Sequence, residues 1–172
     1  MAINRSTLSK AMLALIAAGA PASVLLSQFL DEKEGNSLTS YQDGVRVWTA
    51  CRGVTKGIGP NMKFTKAQCD KMNASAMGKA LTELDGMIHV PLSEPARAGI
   101  TSFCTYNIGA TKCWSSTFLK DLNAGRRVDA CNQIPRWIFD GGKDCRIKAN
   151  KCEGQIIRRA QERELCLMED SP

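Results

Sequence analysis

The sequence has a single histidine, His89, and no Cys-x-x-Cys pair among its 172 residues. Zinc centres draw on clustered Cys and His ligands, so these residues imply no metal and no cofactor. A catalytic histidine would need a nucleophile beside it, and no serine or cysteine motif surrounds His89, which reads as an interhelix loop residue. Aromatic residues are scarce, at 6%, and no basic run resembles a reading module. Nucleic acid is therefore a poor partner in spite of the net charge of +6. Internal repeats and low-complexity linkers are lacking, which leaves one folded domain of ordinary size. No cysteine lies within residues 1–50.

What is present is more telling. Eight cysteines is a high and even count. At irregular spacing they imply disulfides, and hence an oxidising compartment. An apolar fraction of 44% and a charged fraction of 23% are those of a globular protein. A basic surface in that setting suits the acidic bacterial wall.

Residues 11–30, AMLALIAAGAPASVLLSQFL, carry no charge. Arg5 and Lys10 precede them, and Asp31 and Glu32 follow as interfacial charges. A basic flank before an uncharged stretch is an export signal. As one helix, twenty residues span roughly 30 Å, about one bilayer core. Six alanines, with Gly19, Pro21, Ser23, Ser27 and Gln28, make it weakly apolar for a span. Residues 1–30 are thus expected to form an export signal and releasable membrane anchor, with residues 31–172 as the catalytic domain. Two alternatives are cleavage at the small-residue site Ala20-Pro21-Ala22 and a buried N-terminal helix.

Residues 36–58 alternate and hold β-branched residues, with Asp43 and Gly44 as a hairpin turn between SLTSY and VRVWT. The pattern turns helical from Thr65, which can cap KAQCDKMNASAMGKALTEL, with Met72, Met77 and Met87 as core filler. Ser93 can cap a helix running to Gly109, and Ser115 or Ser116 a short one ending at Gly125. Pro135 should kink or break VDACNQIPRWIF, and EGQIIRRAQERELCL closes the chain as a helix. The fold class is α+β: a small hairpin sheet and a mainly helical body.

Glycoside cleavage needs one carboxyl to protonate the leaving oxygen and another to activate water. Glu34, before Gly35, and Asp43, on the hairpin turn, are candidates, with the Thr49 hydroxyl to position a water. Spacing alone is a weak signal. The stretch EGNSLTSYQDGVRVWT, however, resembles the catalytic signature of phage-type lysozymes: Glu, eight residues, Asp, five residues, Thr. FCTYNIGATKCWSSTFL, PRWIFDGGK and RRAQERELC resemble further segments of that family, in order, over residues 32–168.

The resemblance implies a lysozyme-like fold and a muramidase that cuts the β-1,4 bond between N-acetylmuramic acid and N-acetylglucosamine in peptidoglycan, causing host lysis. Glu34 would be the general acid of an inverting mechanism, with Asp43 and Thr49 holding the water. Inverting enzymes keep their carboxyls roughly 6.5–9.5 Å apart. The family pairs an arginine of the C-terminal helix with the glutamate; Arg159 matches that position, with Arg158 as its rival. Tyr106 and Thr117 fall where the family lines its sugar cleft. The uncleaved N-terminal segment resembles that of signal-arrest-release endolysins. Such enzymes are exported, tethered to the periplasmic face of the inner membrane, then freed when the membrane potential collapses. A monomer is expected. Two features depart from the family: Arg52-Gly53-Val54 stands where many relatives have a Gly-His, and residues 144–152, DCRIKANKC, form an inserted loop closed by its own cysteine pair, which is expected to staple a surface excursion, the alternative being that it covers one rim of the cleft.

Eight cysteines allow 105 connectivities. Cys145 and Cys152 bracket the inserted loop, and Cys131 and Cys166 sit on helices that should pack together. Cys51 and Cys69 would tie the hairpin to the first body helix, and Cys104 and Cys113 flank the Gly109 turn. The rival functions are a lytic transglycosylase, which needs one acid and no water, and a non-catalytic wall-binding protein.

Overall fold

The computed structural model describes residues 6–43 and 46–170. Arg5 of the basic flank and Gly44 of the expected turn lie outside them. The uncharged N-terminal stretch forms two helices rather than one: α1 (Lys10–Ala17) and α2 (Ala22–Lys33). Gly19 takes a left-handed φ of 69°, and Pro21, with no N–H to donate, stands just ahead of α2. That pair breaks the helix. Among the described residues no helix is long and apolar enough to cross a membrane.

The two helices pack into the body. Met12, Leu25, Leu26, Phe29 and Leu30 are buried against Leu81, Ala98 and Leu165. Each such side chain contributes about 1.5–3 kcal/mol relative to exposure in water. Polar contacts fix the same segment. Ser9 caps α1 through the Met12 N–H, the Glu94 carboxylate accepts from the Ala22 N–H, and the Thr7 N–H donates to Glu164 Oε2 at 2.8 Å.

Strands β1 (Ser37–Gln42) and β2 (Trp48–Cys51) form the expected antiparallel hairpin, with Tyr41 opposite Thr49 and Gln42 opposite Trp48. Helix α3 (Lys66–Asp85) opens on a capping box in which Thr65 and Gln68 exchange hydrogen bonds. Helix α4 (Glu94–Thr101) starts at Ser93 and continues as a π-helical stretch over Ser102–Gly109. Gly109, at φ 89°, ends that run before α5 (Ala110–Trp114).

Ser116 caps α6 (Thr117–Asn123), and α7 (Arg127–Cys131) is short. Pro135 then allows only a single 3-10 turn, Ile134–Arg136. A two-residue hairpin, β3 (Phe139–Asp140) and β4 (Lys143–Asp144), leads into the inserted loop, and α8 (Gly154–Leu167) closes the chain. A second core gathers Phe103, Phe118, Leu122 and Ile134, with Phe103 and Phe118 edge to face at 5.0 Å.

Four disulfides close: Cys51–Cys69, Cys104–Cys113, Cys131–Cys166 and Cys145–Cys152. These are the four pairs reasoned from the sequence. Helices α4 and α8 lie against each other at Gly99, where a Cβ would fall 2.5 Å from Leu165 Cβ.

Candidate active site

Glu34 stands at the C-terminal end of α2. Its backbone has left the helical region (φ −103°, ψ 133°), while its N–H still reaches the Leu30 carbonyl at 2.8 Å. The side chain is 25% exposed and meets Arg158 Nη1 at 2.6 Å, from a guanidinium side chain only 8% exposed. Arg158, not Arg159, is thus the partner of Glu34. Adjacent residues on an α-helix point about 100° apart, so the two arginines serve different neighbours. Arg159 donates through Nε to the Trp137 carbonyl at 2.8 Å, bonds Asn107 Oδ1, and lies over the Phe103 ring.

One carboxylate holds both arginines. Glu162 is fully buried and sits four residues beyond Arg158 and three beyond Arg159. Arg158 Nε reaches its Oε1 at 3.1 Å, Arg159 Nη1 pairs with its Oε2, and the Ser102 hydroxyl donates to Oε1 at 2.7 Å. Burial works against the charge on Arg158, yet Glu162 and Glu34 together hold its pKa above the ordinary value. For Arg159 burial prevails and its pKa falls, although Glu162 opposes the change. Two guanidiniums and two carboxylates balance, which is how charges persist in a site this dry. Glu162 was missed from the sequence, though its i+4 and i+3 spacing from the two arginines was a signal.

Glu34 lines a cleft of about 500 Å³ with Lys33, Asp140, Lys151, Gln155, Ile157 and Arg158. Asp43 and Thr49 both bond to Val47 on the hairpin, and neither is in the lining of that cleft. The Val47 N–H donates to Asp43 Oδ1 at 2.8 Å, and the Asp43 N–H donates to the Val47 carbonyl at 3.0 Å. Thr49, 3% exposed, donates its hydroxyl to the same carbonyl at 3.1 Å.

Tyr106 lies on a neighbouring cleft of about 510 Å³ beside Gly53, Thr55 and Ala80. Its hydroxyl donates to the Arg52 carbonyl at 2.7 Å. Burial first, then the negative charge of Glu34, pushes its pKa up to about 12, so it is a neutral donor at working pH. Thr117 is exposed in the first turn of α6 and donates to Gln133 Oε1 at 2.9 Å, outside the linings of both clefts.

Arg52 was not foreseen as a contact. It pairs with Asp31 at the end of α2, and its N–H donates to Asn73 Oδ1 at 3.1 Å. Asp31 is therefore more than a charge following an apolar stretch: it ties α2 to the exit of β2. His89 is an exposed loop residue whose N–H donates to Asn123 Oδ1.

Residues 31–162 match the phage lysozyme family. A probable prophage lysozyme of Escherichia coli is 57% identical over 92% of each chain. The SAR-endolysin of Escherichia phage 933W is 56% identical, again over 92% of each. Among solved structures, an endolysin from Escherichia coli phage FAHEc1 superposes with a TM-score of 0.70 at 26% identity, over 90% of this chain and 96% of the other. A match spanning most of the chain, together with relatives this similar, makes the chain a member of the phage lysozyme family and a lysozyme-type glycoside hydrolase.

Proposed function

We propose that the protein is an endolysin that hydrolyses the β-1,4 bond between N-acetylmuramic acid and N-acetylglucosamine in peptidoglycan and so lyses the host. Glu34 protonates the glycosidic oxygen. A water held by Asp43 and Thr49 attacks the anomeric carbon from the opposite face, with inversion. The observation that carries this reading is the placement of Glu34: a part-exposed carboxylate on a cleft, fixed by a buried arginine. Arg158 and Glu162 hold it in place, and Tyr106 lines the adjoining cleft as a sugar-binding side chain, with Thr117 a more distant contact.

The test is turbidity loss of Gram-negative cells stripped of their outer membrane. Wild type should clear them and release reducing-end sugars, while Glu34→Gln should fall by on the order of 100-fold or more. Anhydro-sugar products would instead identify a lytic transglycosylase. Equal clearing by both proteins would leave only wall binding.

The same reading includes export and a temporary tether through residues 11–30 to the periplasmic face of the inner membrane, followed by release as a monomer. Its support is twofold: the uncharged sequence, and the similarity to a SAR-endolysin. Energetically, the apolar side chains of α1 and α2 exchange lipid for the protein core, so leaving the membrane forfeits little burial. Glu34 lies only four residues beyond Leu30, so a tether ending there keeps the acid near the membrane surface until α2 packs against the body.

A further inference from the structure

The inserted loop does not project away from the catalytic cleft. Lys151 and Cys152 line the same 500 Å³ space as Glu34. The loop is held firmly for so short an excursion. Cys145–Cys152 closes it, the Asn150 side-chain amide donates to the Asp144 carbonyl at 2.7 Å, and the Cys145 N–H donates to the Ile138 carbonyl at 2.9 Å. Cys145 is fully buried, so the base of the loop is part of the body. Lys151 closes its 3-10 turn in the left-handed region, at φ 53° and ψ 38°. A non-glycine residue rarely adopts that conformation, and such outliers cluster at functional sites.

The charges in this cleft are not equivalent. Arg158 is committed to Glu34 and Glu162, and Lys33 lies over the Phe29 ring beside Glu32. Arg146 on the loop is taken by Asp144. Lys151 is exposed and makes no ion pair with another described residue. Lys143 on β4 and Lys148 on the loop are exposed and make no ion pair with another described residue. A neutral sugar backbone has no use for such a cation. The carboxylates of the stem peptides that hang from a peptidoglycan strand do.

We propose that Lys151 is a specificity residue that binds a stem-peptide carboxylate while the adjoining glycan lies against Glu34, and that Cys145–Cys152 holds it there. This rests on the reading of the site as a muramidase. An ammonium on a flexible stem suits a carboxylate whose position varies along the strand.

The test measures kcat and KM on intact peptidoglycan and on glycan strands freed of peptide by an amidase, with the lactyl carboxylates that this hydrolysis exposes converted to neutral amides by a carbodiimide and ammonia. Lys151→Gln should raise KM on intact peptidoglycan about three- to tenfold, as expected of a charge-assisted contact at an exposed site. It should leave kcat, and both constants on peptide-free strands, near wild type. Lys151→Arg should restore KM, and added salt should narrow the difference. Replacing Cys145 and Cys152 together by Ser, which loosens the loop and keeps the lysine, should raise KM in the same direction. Equal losses on both substrates, or no change on either, with wild type active, overturn the proposal alone. A wild type inactive on both substrates overturns the muramidase reading and this proposal with it.

Discussion

Arg158 and Glu34 meet at 2.6 Å across 124 positions of sequence, and the arginine is the more buried of the two. The ion pair is therefore asymmetric: Arg158 belongs to the core of the body, and Glu34 is brought to it by the end of α2. Arg158→Ala would leave the fully buried Glu162 with one guanidinium in place of two. Breaking a buried pair on one side costs about 3–5 kcal/mol. We expect urea denaturation to show a loss of that order for Arg158→Ala. Arg158→Lys should lose less stability but still lose activity, since one ammonium does not span Glu34 and Glu162 as the fork does.

Asp43 and Thr49 can be tested with little damage to the hairpin. Asp43→Asn keeps an oxygen for the Val47 N–H, and Thr49→Val keeps the shape of a buried side chain while removing its hydroxyl. Loss of a positioned base typically lowers rate by 10²–10⁴, so Asp43→Asn should fall on the order of 100-fold, and Thr49→Val by about tenfold or more. Circular dichroism should be unchanged. Near-normal rates for both variants would remove the water-holding role.

Gly99 sets the contact between α4 and α8. Its added Cβ would lie 2.5 Å from Leu165 Cβ and 3.1 Å from the Glu162 carbonyl. Neither neighbour is the far end of a flexible side chain. Gly99→Ala should destabilise by about 1–3 kcal/mol through overpacking, although alanine is the better helix former. A thermal melt equal to wild type would mean that the two helices can separate without penalty.

The disulfides should differ in weight. Cys131–Cys166 closes a loop with a sequence separation of 35, against 7 for Cys145–Cys152. Chain-entropy arguments give about 4 kcal/mol for the longer loop and about 2.5 for the shorter. Paired Cys→Ala variants, compared by denaturant midpoint at equal slope, should follow that order.

These contacts also show where the sequence was readable. Caps at Thr65 and Ser93 and the break at Pro135 are local, so the chemistry of a few neighbours decided them, while the choice between Ser115 and Ser116 was left to the structure. Cys131–Cys166 and Cys51–Cys69 followed from which elements had to pack, Cys145–Cys152 from closeness in sequence, and Cys104–Cys113 as the remaining two, on either side of the Gly109 turn. The choice between Arg158 and Arg159 depended on how α8 is rotated against α2 and α4, which no local pattern contains. Both arginines lie on the buried stripe, and Glu162 pairs with both. The uncharged segment misled in shape, because composition reports affinity for an apolar phase and is silent on whether lipid or a protein core provides it. Gly19 and Pro21 were the visible signs that it can bend.

That ambiguity gives the last prediction, which rests on the proposed tether. Ser23 is exposed on α2, so Ser23→Leu adds an apolar side chain to the anchor without disturbing the packed face of Leu25, Leu26, Phe29 and Leu30. A leucine near the middle of a span favours insertion by about 0.5 kcal/mol. Gly19→Leu acts at both ends of the equilibrium. It strengthens the span, and it also places a side chain at φ 69°, where the folded turn requires a left-handed residue at a cost of about 1–2 kcal/mol. Both variants should shift protein from the soluble to the membrane fraction and delay lysis, Gly19→Leu more than Ser23→Leu. Purified after release, Ser23→Leu should match wild type in rate. Intact mass of the soluble protein should show the full chain, whereas a product beginning at Ser23, or lysis on the wild-type schedule for both variants, would rule out a tether that limits release.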